Sequence, residues 1–82
     1  MNLKEFDFVI GRMKLAFEGA KNLGQPIEQA KILYQMNHLL PDSLQITLDD
    51  LENGGSIKQA VSLCYSRINS QISEYREQLM LN

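Results

Sequence analysis

Residues 56–79 read SIKQAVSLCYSRINSQISEYREQL, and the spacing of their apolar side chains decides the fold. Ile57, Val61, Cys64, Ile68, Ile72, Tyr75 and Leu79 follow one another in steps of four and three. That alternation places all seven on one narrow stripe of an α-helix, with serine, glutamine, asparagine, glutamate and arginine on the other side. A helix of this length runs ~35 Å at about 1.5 Å per residue. An apolar stripe so long needs a cover, either the rest of the chain or a second copy of it.

Towards the amino terminus the same alternation recurs. Leu3, Phe6, Ile10, Met13, Phe17 and Ala20 predict a helix over about residues 2–23, with Val9, Ala16 and Leu23 widening its apolar face. Asn2 with Glu5 three residues on has capping-box spacing, and Gly24 followed by Pro26 marks a stop and a new start. A second helix is expected over about 26–40, with Ile27, Ala30, Leu33, Tyr34 and Leu40 facing the core, until Pro41 ends it. A short third helix is expected over about 44–52 on Leu44, Leu48 and Leu51, after a cap from Asp42 or Ser43. Asn53, Gly54 and Gly55 then break the chain before Ser56 caps the long helix, taken to span 56–80. Residues 24–33 and 54–63 share glycine, isoleucine, glutamine, alanine and leucine at matching positions. A duplicated hairpin would produce that match, and so would any two helices that start after a glycine.

The expectation is therefore an all-α protein: one domain over 1–82, a small antiparallel four-helix bundle with a short third helix, open to completion by dimerisation. At 82 residues the chain buries only about 60–65% of its unfolded surface, so its core is marginal. Eight basic and ten acidic residues give a net charge of −2, which supplies no electrostatic attraction to nucleic acid or an anionic membrane. The basic residues are dispersed and carry no interleaved aromatics, so direct nucleic-acid binding is not expected. No apolar run approaches the ~20 residues of a membrane span, and the amino terminus lacks the basic-then-apolar pattern of a signal peptide. Cys64 is the only cysteine, which excludes an internal disulfide and fits a cytoplasmic setting.

Catalytic chemistry finds little footing. A nucleophile needs a base within reach, and the chain has one imidazole, His38, in the last turn of the second predicted helix. Cys64 lies in the middle of an apolar seam, where a thiol stays protonated and unreactive. Neither an enzyme, a cofactor, a metal site nor a small-molecule substrate is expected. Asp42, Asp49, Asp50 and Glu52 have no basic residue between them, and form a secondary candidate site for docking a basic surface. Calcium does not fit, because Leu51 occupies a position where an EF-hand loop needs oxygen.

Two short stretches resemble known families. Asp42-Ser43-Leu44 resembles the attachment motif of acyl carrier proteins, which implies a phosphopantetheine on Ser43. That family follows its serine with a long helix, whereas this chain reaches Asn53-Gly54-Gly55 after about ten residues. Leu51-Glu52-Asn53-Gly54 followed by Gln59-Ala60 is similar to the small subunit of exodeoxyribonuclease VII, one residue short between the glycine and the alanine. This second likeness covers about a quarter of the chain and implies a non-catalytic partner of a large nuclease subunit.

The functional expectation rests on apolar residues left over once a core is filled. Phe8 and Leu15, seven apart, point nearly opposite to Phe6, Ile10 and Phe17 on the first predicted helix. Ile32, Met36 and Leu39 lie on a flank of the second, away from Ile27, Ala30 and Tyr34. These five residues are the candidate partner interface of a non-enzymatic protein–protein interaction module: an adaptor, an inhibitor or a small accessory subunit. Its partner would be another protein or a second copy of the chain.

Overall fold

The first helix, α1 (Leu3–Asn22), begins where the Glu5 amide donates to the side-chain oxygen of Asn2 at 2.8 Å. It ends in a Schellman motif. Gly24 takes a positive φ of 68°, its amide donates to the Lys21 carbonyl, and the Gln25 amide reaches back to the Ala20 carbonyl at 2.9 Å. A computed structural model describes residues 1–52 and 55–81. Pro26, with its φ preset for a helix, opens α2 (Pro26–Leu39). Leu40 then turns extended, at ψ 147°, ahead of Pro41. The third α-helix, α3 (Ile57–Leu81), starts at Ser56, whose hydroxyl accepts from the Gln59 amide at 3.4 Å. The described residues are all-helical in class, with no strand. No described helix is long and apolar enough to cross a membrane.

The stripe on α3 is the floor of the core. Val61, Cys64, Ile68 and Ile72 are buried, and Ile57, Tyr75 and Leu79 pack against them. Phe6, Ile10 and Phe17 of α1 and Leu33 and Met36 of α2 close over that floor. Pairings fix the directions of the helices. Phe6 meets Tyr75 edge to face at 5.0 Å, Asp7 holds Arg76, and Phe17 stacks on Tyr65 at 4.0 Å. Rising numbers on α1 meet falling numbers on α3, so these helices are antiparallel. The short turn at residues 23–25 makes α1 and α2 antiparallel as well. It follows that α2 and α3 run parallel, and residues 40–52 return along them.

That return corrects the expected third helix over 44–52. Two single 3-10 turns, Asp42–Leu44 and Asp49–Leu51, flank a non-helical run at 45–48. Asn37 of α2 holds the run at both backbone groups of one residue: its Nδ2 donates to the Ile46 carbonyl at 3.0 Å, and its Oδ1 accepts from the Ile46 amide at 2.9 Å. Gln71 of α3 donates to the Leu44 carbonyl at 2.9 Å. Captured this way, Ile46 has neither backbone group free for helical hydrogen bonds, and a helix of nine residues is marginal to begin with. Leu44, Ile46 and Leu48 then turn toward the core as every second residue, with Leu48 buried. The fold is three α-helices and a strap; a four-helix bundle is not what the described residues form. The glycines that break the chain before α3 fall partly outside the description, Asn53 and Gly54 not being described. Gly55 takes a positive φ of 85°.

The two matching segments occupy unlike surroundings. Leu33 has no exposure while its counterpart Leu63 is 45% exposed, and Gln29 is buried while Gln59 is not.

Candidate functional site

The outer face of α1 carries an exposed apolar pair. Phe8 is 65% exposed and Leu15 75%. Seven residues along a helix return to nearly the same azimuth after ~10 Å, so both lie on one face, opposite the core-facing Phe6, Ile10 and Phe17. The Arg12 guanidinium, one turn from Phe8, sits 5.8 Å from the centre of its ring. Gly11 and Gly19 lie along the same helix, and no atom approaches within 4 Å of where a Cβ would stand on either. Their lack of side chains leaves shallow depressions beside Leu15, open to whatever lies against this face.

The other three interface candidates are placed differently. Met36 is fully buried, which corrects its assignment to a surplus surface. The reason is the position of α2, which packs against α1 on one side and α3 on the other while the strap crosses it at Asn37. Its apolar arc is wide because it has three neighbours inside the molecule. Ile32 and Leu39 are half-buried at the edge of the core. Ile27, expected in the core, is 57% exposed, and Leu23 beside it in sequence is 73% exposed. These two add apolar surface at the α1–α2 turn that the sequence reading assigned to the interior.

The acidic group is partly engaged within the chain. The Tyr34 hydroxyl donates to Glu52 Oε1 at 2.6 Å, and the carboxylate holds the phenol above its usual pKa. Arg67 lies 3.5 Å from Asp50, and Gln45 donates weakly to Asp42 at 3.4 Å. Asp49 is exposed. Among the described residues no three metal-ligating side chains converge. Ser43 lies exposed within the Asp42–Leu44 turn, not at the head of a long helix. Leu51 and Glu52 end the strap, and Gln59-Ala60 lie in the first turn of α3; Asn53 and Gly54, the centre of the nuclease-subunit likeness, fall outside the description. His38 is exposed at the end of α2. Cys64 is fully buried, and its desolvation pushes the thiol above its ordinary value.

Where α1 and α3 meet, Arg76 donates from Nε and Nη2 to the two oxygens of Asp7 at 2.7 and 3.0 Å. The hydrogen bonds from the guanidinium hold the Asp7 carboxyl below the usual carboxylate range. This fork pins α1 to α3 and leaves the outer face of α1 turned away from the bundle.

No protein-family model matches this chain, and no curated protein or solved structure does.

Proposed function

We propose that the chain is a non-enzymatic protein–protein interaction module, an adaptor, inhibitor or small accessory subunit, that docks through the outer face of α1. One observation carries this reading: Phe8 and Leu15 stand more than half exposed on the same face, in a chain whose core is already filled by Phe6, Ile10, Phe17, Leu33, Met36 and Ile68. Scattered single apolar residues on a surface are ordinary. Two large ones in register, with glycines leaving room beside them, match the shape of an apolar helix lying across α1. Fully burying each such side chain is worth ~1.5–3 kcal/mol, before the costs of association are subtracted. Ile32 and Leu39 keep a secondary part at the edge of the contact, and Met36 none.

The partner is an apolar-striped helix of another protein or of a second copy of this chain. The test compares wild type with a Phe8→Ser/Leu15→Ser double variant, measuring native mass across a range of concentrations and after capture from a lysate of the source cells. Assembly, with itself or with a defined partner, that the double variant loses supports the proposal. A wild type that stays monomeric and retains nothing the variant fails to retain overturns it.

A further inference from the structure

The parallel course of α2 and α3 brings two helix starts to one end of the molecule, and a groove of about 320 Å³ lies there. Small-molecule sites begin at about this volume. Its apolar lining is the stacked pair Phe17 and Tyr65 with Val61 and Pro26, and its basic lining is Lys21 from α1 and Lys58 from α3. Glu18 is the single acidic side chain among the lining residues. Two ammonium groups against one carboxylate make this a locally positive site on a chain whose net charge is −2.

The helix ends add to that sign. A helix N-terminus presents unpaired N–H groups and the positive end of its dipole. The residue before α2, Gln25, makes no side-chain hydrogen bond to its first turn, which leaves the Ile27 and Glu28 amides as its free donors, Pro26 having none. The last carbonyls of α1 also point this way, and the Schellman hydrogen bonds from Gly24 and Gln25 engage two of them.

The decisive group is Gln29. It lines the groove, it is only 7% exposed, and its carboxamide has no hydrogen-bond partner among the described residues. The other buried amide, Asn37, is satisfied at both ends by Ile46. The polar atoms of Gln29 are not sealed from solvent, so they stay available to a ligand. In this groove Gln29 offers a donor and an acceptor to whatever enters.

We propose that the groove binds a small organic anion. A carboxylate or phosphate sits between Lys21 and Lys58, an apolar and preferably planar body lies along Phe17, Tyr65 and Val61, and Gln29 supplies the hydrogen bond that orients it. Neither Phe8 nor Leu15 lines the groove, and the site stands or falls independently of the docking face.

The experiment is an NMR titration of the full ¹⁵N-labelled chain with two probes, phenyl phosphate and 3-phenylpropionate, and a neutral control, 3-phenylpropanamide. The expected result is saturable shifts confined to Gly24, the Gln29 backbone and side-chain amides, Lys58 and Ser62. Binding of the phosphate alone or of the carboxylate alone supports the site and assigns its anion. A Lys21→Ala/Lys58→Ala variant, altered only at exposed positions, is expected to bind at least about tenfold more weakly, as loss of charge-assisted hydrogen bonds requires. Gln29→Leu, which keeps the volume and removes the amide, is expected to weaken binding while leaving the helical circular dichroism unchanged. The proposal is overturned by shifts that do not saturate, by equal binding of the neutral amide, or by lysine variants that bind as wild type does.

Discussion

Phe6 and Phe8 stand two residues apart on α1, one without solvent contact and the other 65% exposed. The same helix thus has two faces with different consequences. The inner face, Phe6, Ile10 and Phe17, is held in place by partners on α3: Tyr75 at the edge of Phe6 and Tyr65 stacked on Phe17. The outer face has Arg12 over one ring, and open space where glycine side chains would be. In a marginal core every buried side chain counts toward folding, so apolar residues that stay outside are not there for stability. The contrast is a physical one and it can be broken by substitution.

The largest expected effect is at the inner face. Phe6→Ala should cost ~3–5 kcal/mol, the range for emptying a buried aromatic site, and leave the chain close to unfolded at room temperature. Urea denaturation measures this, and a loss below about 1 kcal/mol would move Phe6 out of the core. The strap comes next. Asn37→Ala strands the Ile46 amide and carbonyl together, and should cost about 1–3 kcal/mol. Hydrogen exchange at the Ile46 amide should accelerate by more than exchange in α3 does. Equal acceleration throughout would show that the strap unfolds only with the whole molecule.

A smaller effect belongs to the fork between Asp7 and Arg76. The Asp7 carboxyl is held below its ordinary value of 3.8 in the folded state. A depressed carboxylate stabilises the fold fully at pH above that ordinary value, and the contribution disappears as the pH falls through the lowered one. Melting temperature should therefore drop on acidification through that window, and Asp7→Asn should flatten part of the drop while lowering stability slightly at neutral pH. Both groups are well exposed, so solvent and salt screen the pair, and added salt should reduce the difference between variant and wild type.

Much of the architecture was legible because it rests on periodicity. The seven-residue stripe of α3 packs as its spacing implies, the Asn2 cap forms, and Phe8 and Leu15 face outward as their azimuth requires. The strap was misread because Leu44, Leu48 and Leu51 fit a helix as well as Leu44, Ile46 and Leu48 fit an extended chain. The alternation Leu44-Gln45-Ile46-Thr47-Leu48 was the available signal. The choice between the two was made by Asn37 and Gln71, which lie on other elements and whose reach no local pattern records. Met36 was misplaced because α2 packs between α1 and α3, so a flank that looks surplus in sequence is covered from both sides. Gln29 looks in sequence like any other glutamine of the second helix, and only the parallel setting of α2 and α3 gives it a groove to line.

The central claim is that the outer face of α1 does no folding work, and one measurement addresses it directly. The unfolding free energy of Phe8→Ser/Leu15→Ser is compared with that of wild type, at a concentration where both sediment as monomers. A difference within about 1 kcal/mol is expected, as for exposed substitutions in a helix. A loss of several kcal/mol would mean that Phe8 and Leu15 are buried in the folded monomer, and would remove the physical basis for a docking surface there.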